Sequence, residues 1–128
     1  MAQRLANYPM YSDSQGEATN PTTATVMADT GILGTLRPGS TDAYWGGGGI
    51  YEVLVTTSAT AVAEFVLQRR NVANNANVGD VHIFYVPANQ TVAIPFRMEA
   101  EAGERFRVMM NANLTGDAVA NVQAQRVA

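Results

Sequence analysis

Cysteine and lysine are both missing from the 128 residues, and histidine occurs once. Without cysteine no disulfide can brace the fold, and neither thiolate catalysis nor a cysteine-based zinc or iron–sulfur centre is available. A histidine metal cluster would lack a second ligand, because His82 stands alone. A hydrolytic triad lacks context as well: Ser12, Ser14, Ser40 and Ser58 sit in no elbow-like sequence. Long apolar runs are absent too. Nothing approaches the roughly 20 residues that span a bilayer, and Met1–Pro9 has no apolar signal-peptide region, so the chain is expected in the cytoplasm of the cell that makes it. The sequons at Asn89 and Asn113 then read as chance matches.

Charge is also scarce. Charged residues make up 15% of the chain, against about a quarter in an ordinary soluble domain, while 47% are hydrophobic. The polar surface must come from Asn, Gln, Thr and backbone, and part of it is open to cover by a partner. All eight basic residues are arginine, whose planar five-donor group suits interfacial pairing better than lysine. The net charge of −3 and the lack of a basic run argue against nucleic-acid binding. No cofactor and no metal are expected: Glu99, Glu101 and Glu104 flank Gly103 in what reads as a solvated acidic turn. Glu52 and Glu64 are the acids that neighbouring strands could bring together for glycosidic chemistry, but nothing marks either as desolvated. The chain is expected not to be an enzyme.

What is present divides in two. Residues 1–49 read as an extended N-terminal arm, with turn signals at Asp29-Thr-Gly31 and Pro38-Gly39 and a short extended candidate at Ala24–Met27. The arm still carries Leu5, Tyr8, Met10, Tyr11, Met27, Ile32, Leu33, Leu36, Tyr44 and Trp45, too many apolar groups for a free tail. It needs a surface to lie on, its own body or a neighbouring subunit. The four glycines Gly46–Gly49 mark either a hinge between arm and body or a close backbone approach at an interface. They are no phosphate loop, since the terminal Lys-Ser/Thr is missing and a strand follows.

From residue 50 to 128 the period becomes two. Strands are predicted over Ile50–Thr57, Ala61–Arg69, Val81–Val86, Thr91–Met98, Arg105–Asn111 and Ala118–Val127. The Val81–Val86 strand is apolar on both sides and is expected mid-sheet or at an interface. Pro95 places its strand at an edge or bulge. Ala118–Val127 reads as a strand by alternation, although propensity alone allows a short helix. Six strands about ten residues apart predict an all-β, antiparallel β-sandwich or jelly-roll-like barrel. A body this small buries a modest core, which makes a homo-oligomer the natural further source of stability.

Tyr44-Trp45, just before the glycines, admits three roles: an anchor in a subunit contact, a platform for a sugar, or a plug for the fold's own end. Arg97, Arg105 and Arg107 all face outward, and if their strands pair they form an arginine stripe for inter-subunit contacts, matched to Glu52, Glu64 or a partner's acid.

The phrase Ala100-Glu-Ala-Gly-Glu-Arg-Phe-Arg-Val108, with the Gly-Asp turn and the closing strand after it, resembles the C-terminal part of small head-decoration (cement) proteins of tailed bacteriophages. Ala63-Glu-Phe-Val-Leu-Gln-Arg-Arg-Asn71 and Asn89-Gln-Thr-Val-Ala-Ile94 extend the resemblance over about residues 50–127. It implies a structural virion protein on the capsid surface, a trimer with itself and a partner of the major capsid protein, bridging capsid subunits. On that analogy Tyr8, Tyr11, Arg37, Tyr44 and Trp45 make the arm's assembly contacts, and no catalytic residue is implied. The other reading is a carbohydrate-binding or host-attachment module of a phage surface or tail structure, using Tyr44-Trp45 and the loop Asn71–Asn77.

Overall fold

Alternation of apolar and polar residues becomes alternation of inside and outside along the longest strand. Gly49–Ala59 buries Tyr51, Val53, Val55, Thr57 and Ala59 and turns Glu52 and Leu54 to solvent. The computed structural model describes residues 10–14, 17–36, 38–39 and 44–128. In chain order its strands are β1 (Met10–Ser14), β2 (Ala18–Thr19), β3 (Val26–Asp29), β4 (Thr35–Leu36), β5 (Tyr44–Trp45), β6 (Gly49–Ala59), β7 (Ala63–Arg70), β8 (His82–Val86), β9 (Thr91–Ala100), β10 (Arg105–Met110) and β11 (Asp117–Arg126). The fold is all-β: two antiparallel sheets that resemble a β-sandwich, with strand orders β1-β11-β6-β9 and β3-β10-β7-β8. β2 adds to β11, and β4 pairs with β5 as a separate small hairpin.

The pairings nest. β7 pairs with β8, β6 with β9, β3 with β10 and β1 with β11, so the chain runs as one long antiparallel hairpin wound into two layers. Its tip is the β7–β8 loop. The core between the layers is built on Tyr51, Phe65, Phe106 and Leu67, with Tyr51 edge-on to Phe106 at 5.5 Å and Phe65 stacked on Phe84 at 5.7 Å. Each such ring pair contributes about 0.5–1.5 kcal/mol beyond its buried area. Against these rings β11 presents Ala118, Ala120, Val122 and Ala124, all buried. Small side chains on one layer make room for large ones on the other. The same alternation settles that segment as a strand rather than a helix.

Three expectations change. For the described residues, 1–49 is not an arm laid outside a body: β1 completes one sheet, β3 completes the other, and Met27, Ala28 and Leu33 are buried in the shared core. These strands are two to five residues long, too short for a period to show. The glycine run is a close backbone approach within the chain. A Cβ at Gly47 would lie 2.3 Å from the Leu33 carbonyl oxygen, and one at Gly34 would lie 2.5 Å from that of Trp45. Finally β8, expected mid-sheet or at an interface, is not mid-sheet but the edge of its sheet, with Ile83 and Tyr85 exposed. Pro95 does sit on an edge strand, β9, where its missing N–H costs no ladder bond.

Candidate binding groove at the open side of the sandwich

β8 and β9 are the two edges on one side of the molecule, and their inward side chains close the gap between the layers. The His82 ring lies 5.0 Å from that of Phe96, tilted by 36°, and Phe96 lies 5.9 Å from Phe84. Beside this aromatic seam runs a groove of about 320 Å³ lined by Arg69, Gly79, Asp80, His82, Arg97 and Glu99, with Met98 beneath.

Each wall is held by local structure. Arg69 and Arg70 leave β7 on opposite faces. Arg69 donates through Nε to Glu104 Oε1 at 2.6 Å, and both side chains are largely buried. Glu104 also accepts from the Glu101 backbone N–H at 2.8 Å. The acidic turn is thus solvated at Glu99 and Glu101 but not at Glu104, which is 5% exposed and holds a groove arginine in place. Arg70 turns outward and fastens the tip loop, donating to Asn74 Oδ1 at 3.1 Å, Asn77 Oδ1 at 2.8 Å and the Asn74 carbonyl at 3.0 Å. Asn71 binds Asn75 through both its side-chain groups. The asparagine loop, expected to offer amides to a ligand, spends them on itself and on Arg70. What it delivers is Gly79 and Asp80 at the groove, with Gly79 at φ +70 making the turn.

The groove's charges are mixed. Arg69 and Arg97 provide guanidinium donors, Asp80 and Glu99 provide acceptors, and Glu104 offsets Arg69 from behind. Arg97 also meets Glu52 at 3.8 Å, an exposed pair that contributes about 0–1 kcal/mol and leaves the guanidinium free to turn. Donors and carboxylates on either side of an imidazole face suit a neutral, hydroxyl-rich ligand better than an ion. Among the described residues no group of three or more His, Asp or Glu could hold a metal ion.

The remaining sequence candidates scatter. Tyr8 and Arg37 lie outside the described residues, as does the side chain of Tyr44, whose backbone pairs with Leu36. Tyr11 is engaged within the chain: its hydroxyl accepts from the Gly34 N–H at 3.0 Å and its ring meets Tyr51 edge-on at 6.4 Å. Trp45 is 52% exposed on the β4–β5 hairpin. That hairpin adjoins Leu33, whose N–H donates to the Glu104 carbonyl at 2.8 Å, so Trp45 and the groove share one end of the sandwich. The arginine stripe does not form. Arg97 is on β9 in one sheet, whereas Arg105 and Arg107 are on β10 in the other, where they meet Asp29 at 3.3 Å and Gln68 at 2.8 Å. Glu52 and Glu64 also fall in different sheets, and Glu64 accepts from the Asn111 amide at 2.7 Å, so the paired-acid reading ends. Asp80 and Glu99 were missed as ligands to a common groove because 19 residues separate them and only the nested pairing joins β8 to β9.

No family model matches the sequence, and no curated protein matches it either. Similarity appears at the level of fold, to two-layered all-β modules. One solved structure is that of the N-terminal endo-1,4-beta-D-xylanase 10B of Clostridium thermocellum, comprising its CBM22-1 and GH10 modules complexed with xylohexaose. The likeness has a TM-score of 0.56 at 15% identity and covers 93% of this chain and 25% of that one. This chain therefore spans about a quarter of the xylanase structure. The other is the globular domain of the zebrafish complement 1qA protein, with a TM-score of 0.55, 10% identity, and 94% and 98% of the two chains covered. These findings correct the expectation of a capsid-decorating virion protein that bridges major capsid subunits. These two solved structures, a xylanase chain with CBM22-1 and GH10 modules and a complement domain, are not phage proteins. The phrases that suggested a decoration protein are the strands β7, β9, β10 and β11 with their turns, which an antiparallel sandwich needs whatever it binds.

Proposed function

We propose that the chain is a non-catalytic carbohydrate-binding module that holds a neutral oligosaccharide in the groove between β8 and β9. The observation that carries this reading is the His82–Phe96 pair flanked by Arg69, Arg97, Asp80 and Glu99. A sugar ring presents an apolar C–H face and a rim of hydroxyls that both donate and accept. The imidazole face takes the first. Carboxylates accept from, and guanidinium groups donate to, the second. The likeness of the fold to xylanase modules solved with xylohexaose supports the same class of ligand. The nested pairing of the strands supports a jelly-roll-like architecture, one of the frames on which lectin domains are built. Trp45, exposed at the same end, extends the surface over which a longer chain can lie.

The test is calorimetric titration with xylohexaose and a glycan array of neutral oligosaccharides. Binding should appear on the array and weaken by about tenfold in Arg97→Ala, the loss of one hydrogen bond from a charged donor. His82→Ala should weaken it further, and Trp45→Ala should affect long oligosaccharides more than short ones. An array silent across neutral glycans overturns the reading.

A further inference from the structure

The outer face of the β3-β10-β7-β8 sheet gathers three arginines in a small area. On β10, Arg105 and Arg107 project outward two residues apart. The register sets Arg105 directly opposite Arg70 of β7, and sets Arg107 between Gln68 of β7 and Asp29 of β3. Like charges directly opposite on neighbouring strands are unfavourable. Here the repulsion is sharpened because none of the three side chains is fully exposed: Arg70 is buried at 9%, and the Arg105 side chain is 20% exposed. Among the described residues Asp29 is the carboxylate of this cluster, so three positive charges face one negative. Burial, and then the neighbouring Arg70, lower the pKa of Arg107, Asp29 opposes, and Arg105 lowers it again.

The donors are only partly used. Arg107 spends Nε on Gln68 Oε1 at 2.8 Å, a bond that uses neither its terminal nitrogens nor the Gln68 amide N–H groups. Arg105 Nε is buried with no hydrogen-bond partner. An unmet buried donor beside a half-buried excess of positive charge is a costly arrangement in the free protein. An oxyanion on the terminal nitrogens of Arg107 offsets the excess positive charge without having to reach the buried Arg105 Nε.

We propose that Arg107, Gln68 and Arg105 form a second binding site on the outer sheet face, with the loop-bound Arg70 adding only its charge, for an anionic group of an oligosaccharide, a carboxylate or a sulfate ester. The guanidinium of Arg107 takes the oxyanion, and the Gln68 amide donates to a hydroxyl beside it, an adjacency that a sugar acid or sugar sulfate offers and an aspartyl or glutamyl side chain does not. The choice of a saccharide rests on the function proposed above; the anion site itself does not.

The experiment compares the intact chain with Arg107→Gln, titrated with inorganic sulfate, oligogalacturonate, a sulfated oligosaccharide, oligoglutamate and xylohexaose. Oligogalacturonate or the sulfated oligosaccharide should bind, whichever is tighter naming the source of the anion, and about tenfold or more of that affinity should vanish in Arg107→Gln. Arg107→Lys should not restore it, since lysine lacks the planar fork. Without ligand, Arg107→Gln should unfold at an equal or higher temperature, because it relieves repulsion. That readout separates a lost site from a damaged fold. Unchanged anion binding in Arg107→Gln, or none in the intact chain, overturns the site. Oligoglutamate binding as tightly as the saccharides overturns the saccharide assignment. Xylohexaose binding reports on the groove alone, so failure there leaves the anion result interpretable.

Discussion

Tyr51 sits at the junction of both layers, 1% exposed, with its hydroxyl donating to the Gly47 carbonyl at 2.6 Å. Burial, with a smaller push from Tyr11, raises its pKa from 10.0 to about 12, Arg126 opposing. The sign of the linkage follows. Below pH 10 the folded and unfolded chains both keep the proton, and the full stability is present. Between pH 10 and about 12 the unfolded chain releases it first, so stability falls, by about 2 kcal/mol at the upper end. Denaturant midpoints measured from pH 9 to 12 should show that fall, and Tyr51→Phe should flatten it. A second residue runs the other way. Thr57 is 1% exposed and its hydroxyl has no hydrogen-bond partner, so Thr57→Val, which keeps the shape and removes the orphan, should stabilise the fold by up to about 1 kcal/mol in the same assay. Neither property could be read from the sequence. Tyr51 and Thr57 lie within the predicted strand Ile50–Thr57, but only the packed structure shows which hydroxyl finds an acceptor.

At the scale of elements, legibility followed length. β6, β9 and β11 are ten or eleven residues long, and their alternation shows in the bare sequence, as does the edge position that Pro95 imposes. Of the two places offered for β8, mid-sheet fails because its exposed Ile83 and Tyr85 look like core, whereas the sheet ends there. The groove was illegible for a related reason: its residues come from strands of different sheets, and no local pattern announces that two edges will meet. The strands of 10–45 were hidden by their shortness, yet this segment gives Met27, Ala28 and Leu33 to the core. Leu33 is fully buried, and its backbone bonds to both Gly103 and Glu104. Leu33→Ala should therefore cost about 2–5 kcal/mol, as core truncations do, while a change on a detached arm would stay within about 0.5 kcal/mol. Equilibrium unfolding in urea distinguishes the two. Gly47→Ala should be at least as damaging as an overpacked core residue, about 1–3 kcal/mol, because the clash is with backbone that cannot turn aside.

At the scale of the whole molecule, the nested hairpin sets the order in which contacts become affordable. The β7–β8 pairing closes a loop of residues 71–81, the β6–β9 pairing encloses it, the β3–β10 pairing encloses both, and the β1–β11 pairing brings Met10 beside Gln125. Loop-closure entropy rises with each ring outward, but by only about 0.6 kcal/mol for every doubling of length, so outer rings become cheap once the inner ones have shortened the effective loop. Folding is then expected to zip from the tip that carries the groove toward the two ends, on the millisecond-to-second scale of all-β domains. Phe84 on β8 and Met27 on β3 are both buried, at opposite extremes of this order. Phe84→Ala should slow folding with a φ-value of about 0.5–0.8, whereas Met27→Ala should chiefly speed unfolding, with a φ-value of about 0–0.3. Stopped-flow chevrons on the two variants decide the matter. If Met27→Ala slows folding more than Phe84→Ala does, the outer ribbon forms first, and the tip loop that delivers Asp80 to the groove is ordered last.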